Sequence, residues 1–471
     1  MEEKKRTMGL PSAVATVVGL IVATSCLLSL GAGVGLAGNL LILSMAVVLV
    51  FNLLMVISFR ELNWMMPNVE GGLGQYTKVG LGPVFSIISN LSTYLIAMVF
   101  AMVVEIGMCG MVVSDIFFPQ VPPTVISIAI ILALTLVNYL GIDVFKKVQN
   151  VVVSLLIISL FAMGILSSLK LGTGEVVEQG GTNVPPIVTI GGALALSAVA
   201  FWLFIGIEFV IPASQHVKNQ KRNVGLSMVI GLIIIFAFNA ILANGMGNYV
   251  PYEVLASSDL PHMDFAEALY GQAGIFWMGL VTILASISSA NTVFMAVPPI
   301  LSGMAKNDMM PAAFDRKNRF GVPVLGLFVL IIIVIAIVAS GFALSSGLLN
   351  ILLAATCFWI TTYILIAITT IALRRRYPKH PGRTDSLRWF NIPQYVSIAI
   401  GLYMIWNIAE GDARILIFKI FGILGAALVA YAVIWVGGVK KQPLFKGDSI
   451  DDVMFSENLA RMEEEKRSAK A

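Results

Sequence analysis

Chemistry in this chain starts from one carboxylate in an apolar setting. Glu208 lies in the run Ala198-Val199-Ala200-Phe201-Trp202-Leu203-Phe204-Ile205-Gly206-Ile207-Glu208-Phe209-Val210-Ile211-Pro212. In hydrocarbon a carboxylate costs roughly 3 kcal/mol or more, and a Gly/Pro interruption frees backbone groups that lipid cannot satisfy. Both become tolerable if the helix breaks near Gly206 inside a protein-lined, wetted cavity, where the exposed half-helix ends form a ligand site. A second carboxylate, Glu105, lies deep in Met102-Val103-Val104-Glu105-Ile106-Gly107-Met108. A lipid-facing, unpaired position there would be expensive. Glu105 therefore bonds to a neighbouring helix, lies nearer the outer interface than the span boundaries suggest, or lines the same cavity.

Near the N-terminus, Ala23-Thr24-Ser25-Cys26 and then Gly31, Gly33, Gly35 and Gly38 interrupt another apolar run. Such residues suit close helix packing. They equally suit a second broken helix, whose free amides near Thr24 and Ser25 and positive end would receive an anionic group. Hydroxyl and amide side chains gather again at Ser286, Ser288, Ser289, Asn291 and Thr292, where self-bonding to the backbone or helix packing is the ordinary role. Phe358, Trp359 and Tyr363 could wall a site or simply pack.

The elements that position these groups follow from composition. Of 471 residues, 58% are hydrophobic and 12% charged, with a mean hydropathy of +0.91, against about 25% charged in a soluble protein. This predicts an all-α, polytopic membrane protein. Apolar runs of spanning length fall at 12–36, 40–59, 84–114, 121–142, 148–169, 187–213, 224–247, 273–303, 322–342, 345–373, 391–409 and 415–438. With Lys4, Lys5 and Arg6 cytoplasmic, all of the 30 Lys and Arg except Lys170, Arg414 and Lys419 fall on one side. The positive-inside rule then gives cytoplasmic N- and C-termini in a cell membrane. The basic N-terminal residues precede too long an apolar run, without an A-x-A pattern, for a cleaved signal.

The first and sixth spans are the irregular ones, so the second lies at an odd offset of five spans from the first. Two five-span units must then run in opposite senses, as in alternating-access carriers. The expected organisation is a cytoplasmic tail 1–11 and a core 12–373 of two inverted repeats, 12–170 and 187–373. Helices 11 and 12 follow within 388–438, then a cytoplasmic tail 439–471 whose charged sequence reads as a solvated partial helix.

Other classes find little support. Cys26, Cys109 and Cys357 all lie in spans, so packing is expected and not disulfide stapling. His216, His262 and His380 sit in separate loops, so no metal site and no cofactor is expected. No clustered basic domain with interleaved aromatics supports a nucleic-acid partner. The glycines after Pro67 lack P-loop spacing. A channel would show repeated pore segments or rings from several subunits, and a receptor or scaffold needs no broken helices with buried carboxylates.

Several stretches together resemble the amino acid-polyamine-organocation (APC) transporter superfamily. Glu61-Leu62 to Pro67, with Gly71-Gly72 and Tyr76, resembles its "EL…P…GG…Y" stretch. Trp202 to Glu208 resembles the sixth-helix motif, and Val217-Lys218-Asn219-Gln220-Lys221-Arg222-Asn223 the "VKNPKRN" loop. Ser302 to Pro311, with Pro323, resembles the loop after the eighth helix. The resemblance, running to about residue 375, implies a LeuT-type fold of 12 transmembrane helices with broken helices 1 and 6. It also implies carriage of an amino acid, amine or polyamine by exchange or proton symport, as a monomer or homodimer in the lipid bilayer, with no enzymatic step.

The resemblance places substrate binding on Ile21, Ala23, Thr24, Ser25 and Cys26 of helix 1, where Ala23-Thr24-Ser25 stand on the family's "G-S-G". Further positions are Ala101 and Glu105 on the third span, and Trp202, an aromatic gate, with Ile205, Gly206 and Glu208 on the sixth. Val293 and Trp359 complete the set. Coupling falls to Glu208 by proton, or to sodium at Ser288 and Ser289. Three departures stand out: Ala23 and Ser25 replace both glycines, no ionisable residue lies between Lys147 and Lys170, and Gln220-Lys221 replaces Pro-Lys. The first crowds the pocket for an α-carboxylate. Two buried carboxylates without a basic partner favour a substrate amine to which Glu105 and Glu208 both contribute.

Overall fold

The protein is described by a computed structural model over residues 8–21, 23–67, 72–141, 145–178, 180–211, 214, 217–342, 347–382, 391–452 and 454. Residues 1–7 and 455–471, Val22, Gly71, Pro212 and His216 lie outside these, as do the side chains of Ile21, Lys146 and Lys147.

Without water, each spanning segment must satisfy its own backbone hydrogen bonds, which leaves helix as the form for these apolar runs. All twelve fall on helical structure. The first run divides into α1 (Leu10–Ile21) and α2 (Thr24–Ala37), and the second forms α3 (Leu41–Met65). A short α4 (Leu73–Leu81) precedes α5 (Pro83–Asn90), which continues through a π-helical stretch, Leu91–Ala97, into α6 (Met98–Phe117). Then come α7 (Pro123–Tyr139) and α8 (Phe145–Ser168). The sixth run is again divided, into α9 (Ile190–Ala195), α10 (Ser197–Phe201) and two 3-10 turns. It is followed by α11 (Gln220–Tyr249), the short α12 (Tyr252–Ser257) and α13 (Pro261–Tyr270), and α14 (Gln272–Lys306). The chain ends with α15 (Val324–Ala339), α16 (Leu348–Arg376), α17 (Ile392–Trp406) and α18 (Gly411–Val433). Among the described residues, six helical stretches are long and apolar enough to cross a membrane, and five shorter apolar helices of 10–17 residues accompany them.

The outer surface is apolar as lipid requires. On α15, Leu325, Phe328 and Ile332 are exposed while Leu327, Leu330, Val334 and Val338 are buried, so one helix shows hydrocarbon to both sides. Polar groups turn inward and clamp helices together. Thr93 donates to Thr362 Oγ1 at 2.7 Å, Ser127 to the Ile106 carbonyl at 3.0 Å, and Asn138 Nδ2 to Asn291 Oδ1 at 2.8 Å. Two glycines of α2, Gly31 and Gly35, are explained by approach from the loop helices, and the third, Gly33, by Leu41 of α3: a Cβ at Gly35 would lie 2.1 Å from the Ala256 nitrogen of α12. Close packing and a helix break therefore coexist in the first run.

Two features depart from expectation. Helices α12 and α13 fill a stretch that has no apolar periodicity long enough to announce them; each begins beside a proline, Pro251 or Pro261. Within the tail from Lys440, residues 444–448 contact the bundle, while 455–471, most of the stretch expected to be solvated, lie outside the described residues. The Leu444 carbonyl accepts from the Val84 amide at 3.4 Å, Asp448 pairs with Lys78 at 3.1 Å, and the Gly447 carbonyl accepts from Arg376 at 3.0 Å. Charged residues here meet partners on α4 and α16, which a charge-rich composition alone does not reveal.

Glu61, from the stretch that resembles the family motif, makes a buried bidentate pair with Arg374 at 2.8 Å (Nε) and 2.5 Å (Nη2). The remaining guanidinium nitrogen Nη1 donates to Asn391 and Gln394 at 3.0 and 3.1 Å. This fastens α3, α16 and α17 at one end of the bundle. Arg374→Ala removes the two-point ion pair from the buried Glu61 carboxylate, 1% exposed, and is expected to lower stability by about 3–5 kcal/mol. Arg374→Lys should recover only part, since an ammonium lacks the planar fork. Thermal unfolding of the detergent-purified variants checks this; equal Tm for all three proteins would refute the pair's role.

Candidate functional site

The first helix breaks where its sequence turns small and polar. Ala23 is extended (φ −115°, ψ 159°) and caps α2 with no side-chain hydrogen bond. First-turn amides have no carbonyl one turn earlier to receive them. The Cys26 amide turns back to the Ala23 carbonyl at 3.1 Å, while the Ser25 amide donates to Glu105 Oε1 at 2.8 Å. Glu105, on α6, is 2% exposed and therefore faces neither lipid nor open water. Its second oxygen, Oε2, is buried without a hydrogen-bond partner.

The sixth run breaks at Ile205-Gly206. Past α10 the chain tightens into a 3-10 turn, Trp202–Phe204, then Ile205 becomes extended (φ −70°, ψ 138°). Gly206 takes φ +108°, a conformation that suits glycine because it has no Cβ. A second 3-10 turn, Ile207–Val210, carries Glu208.

The two breaks touch. Trp202 Nε1 donates to Ser25 Oγ at 3.0 Å, Cys26 Sγ lies 3.7 Å from the Trp202 carbonyl, and Ser29 donates to the Val199 carbonyl at 2.6 Å. On the far side, Glu208 is fully buried and both its oxygens are taken. Trp359 Nε1 donates to Oε1 at 2.9 Å and the Tyr363 hydroxyl to Oε2 at 2.6 Å. Trp359 and Tyr363 are four apart on α16, so they share a helix face. The Trp202 and Trp359 rings meet edge to face, centroids 6.3 Å apart. A continuous path thus runs from Glu105 through Ser25, Trp202 and Trp359 to Glu208.

Of the residues expected at the site, the structure joins Ala23, Thr24, Ser25, Cys26, Glu105, Trp202, Ile205, Gly206, Glu208 and Trp359 around these breaks. Ala101 is half-buried one turn before Glu105, and Val293 is buried on α14. Only the backbone of Ile21, at the end of α1, is described. The eighth-span hydroxyl that reaches helix 1 is Ser286, which donates to Thr24 Oγ1 at 3.1 Å. At about 100° per residue, Ser288 is turned about 200° round α14 from Ser286 and Ser289 about 300°. The Ser288 carbonyl accepts from Thr292 at 2.9 Å. Ser286, grouped in the sequence reading with packing hydroxyls, and Tyr363, given there as a possible wall of the site, are both site neighbours, and the four-residue spacing from Trp359 is the signal for Tyr363. Among the described residues no group of three His, Cys, Asp or Glu side chains could hold a metal ion.

The described residues form an all-helical bundle of long apolar helices with two paired helix breaks. The chain belongs to the amino acid permease family, which it matches over residues 8–445. It is 21% identical to the branched-chain amino acid permease BcaP of Bacillus subtilis over 90% of this chain and 92% of that one. It is 24% identical to a putative arginine/ornithine antiporter of the same organism over 52% of each. A crystal structure of the Eremococcus coleocola manganese transporter, bound to an aromatic bis-isothiourea compound, aligns with a TM-score of 0.59 at 14% identity. That alignment covers 92% of this chain and 97% of that one. At such identity the likeness is one of fold.

Tyr363→Phe removes one oxygen and leaves Glu208 Oε2 buried without its donor. Apparent stability should fall by about 1–3 kcal/mol, read as a lower Tm in detergent. An unchanged Tm would mean that Glu208 does not depend on this hydroxyl.

Proposed function

We propose that this permease-family chain is a secondary active transporter working by alternating access, with its substrate held between broken helices 1 and 6. The observation that carries the reading is the contact of the two breaks through Ser25 and Trp202. Free backbone groups, hydroxyls and a carboxylate converge there inside an otherwise apolar bundle, and a non-transporting scaffold gains nothing from that cost. The topology we assign is twelve spans with both termini cytoplasmic. Inverted repeats occupy 12–170 and 187–373, and two further helices follow within 388–438.

The cargo is an amino acid or an amine. Relatives with names as different as branched-chain permease and arginine/ornithine antiporter make family membership compatible with neutral and cationic cargo alike. Coupling is by exchange or by a proton on Glu208, which lies beside the helix 6 break with its two donors ready to follow a change in its charge. Sodium at Ser288 and Ser289 is the competing arrangement; the turn of Ser288 away from Ser286 and helix 1 disfavours it.

Counterflow in proteoliposomes tests the reading. A carrier shows uptake accelerated by internal substrate, a channel shows flux without acceleration, and a scaffold shows none. Ser25→Leu or Thr24→Leu should abolish counterflow while the protein stays folded and inserted, because the larger side chain fills the site. Loss of stability along with activity would instead mark Ser25 as a packing residue. Uptake that vanishes when choline replaces sodium at constant pH would overturn exchange or proton coupling.

A further inference from the structure

We propose that Glu105 is a built-in occupant of the helix 1 anion seat, so that the cargo is an organic amine without a carboxylate, its ammonium group received by Glu105 Oε2. The inference rests on the transport reading above and narrows it to a substrate class.

The start of α2 is a natural receptor for an anion: its first amides are unsatisfied within the helix, and the helix dipole places positive potential there. No side chain on the capping residue meets that need, because Ala23 has none to offer. Glu105 meets it from across the bundle, with Oε1 on the Ser25 amide at 2.8 Å. A ligand carboxylate arriving at the same amides would have to displace Glu105 or sit beside it. Two like charges about 4 Å apart at an effective dielectric near 20 repel enough to cost on the order of a thousandfold in affinity. Ser25 narrows the seat further, since its side chain stands there and accepts from Trp202 at 3.0 Å.

The free valence of Glu105 points to the complementary ligand. Oε2 makes no hydrogen bond of good geometry, although the Ser25 and Ser286 hydroxyls and the Thr24 amide lie close enough to interact with the carboxylate. The ion pairs among the described residues lie elsewhere, at Lys78–Asp448, Arg374–Glu61 and Lys440–Asp308. A carboxylate half satisfied by an amide and half open calls for a cation that donates hydrogen bonds, and a charge-assisted bond from an ammonium group is the strong form of that contact. Glu208 differs, because both its oxygens already accept from Trp359 and Tyr363. Trp202 touches the Ser25 hydroxyl and Trp359 the Glu208 carboxylate, and aromatic rings attract an alkylammonium ion. A metal ion is the poorer fit, since no group of three ligating side chains forms among the described residues.

The test is counterflow by the full-length protein in proteoliposomes, using matched pairs of an amino acid and its decarboxylation product: leucine with isoamylamine, phenylalanine with phenethylamine, lysine with cadaverine. Wild-type protein should exchange at least one amine about 100-fold better than the parent amino acid. Glu105→Gln, which keeps an acceptor for the Ser25 amide, should retain its Tm and lower amine exchange by tenfold or more. Glu105→Ala should empty the seat and raise exchange of the parent amino acid relative to the amine. Wild-type exchange of the amino acids in preference to the amines would overturn the inference and leave the transport reading standing, as would unchanged amine exchange in Glu105→Gln. Flux of neither class through folded wild-type protein would remove both.

Discussion

Everything distinctive in this molecule depends on how the backbone groups freed by two helix breaks are satisfied in a medium that offers no water. A helix interrupted in hydrocarbon leaves amides and carbonyls without partners, each costing several kcal/mol. Here the Ser25 amide is answered by a carboxylate from another helix, and the break before it is braced by Trp202, which itself opens the break in the sixth run. One interruption is therefore stabilised through the other. The arrangement explains why irregularity appears in these two runs together.

The remaining polar clamps follow the same logic. Hydroxyls at Ser29, Thr93, Ser127 and Ser286 bond across helices, where in lipid a direct bond replaces no competing water and fixes one helix against the next. The fork of Arg374 on Glu61 does so at the bundle end, where a charge pair can be buried because every guanidinium edge finds an acceptor. Between these fastenings, the site region holds two carboxylates in unequal states: Glu208 fully engaged by neutral donors, Glu105 engaged on one side only. Under the transport reading proposed above, that inequality assigns the two groups different work, one to respond to protonation and one to hold a ligand.

Much of this was legible in the sequence because hydrocarbon makes exceptions expensive. Gly206 and Glu208 in an apolar run mark a break whatever surrounds them, and the break falls at Ile205-Gly206. The twelve apolar runs likewise foretold where helices lie. What stayed hidden was rotational phase and long-range partnership. Periodicity could not say whether Glu105 turned toward a neighbour or a cavity, because the residues around it are apolar on every side. It could not choose Ser286 over Ser288, two positions apart and on opposite sides of one helix. The docking of residues 444–448 depends on Lys78 and Arg376, far away in sequence, and a charged tail looks solvated until those partners are placed. The two short helices α12 and α13 carry no spanning signal, and only their approach to the α2 glycines shows why they matter.

A structure of the protein with its transported ligand bound tests the central claim most directly. The expected result is an ammonium nitrogen about 3 Å from Glu105 Oε2, with Oε1 still on the Ser25 amide. A ligand carboxylate seated on the Ser25 amide, with Glu105 turned away, would contradict it.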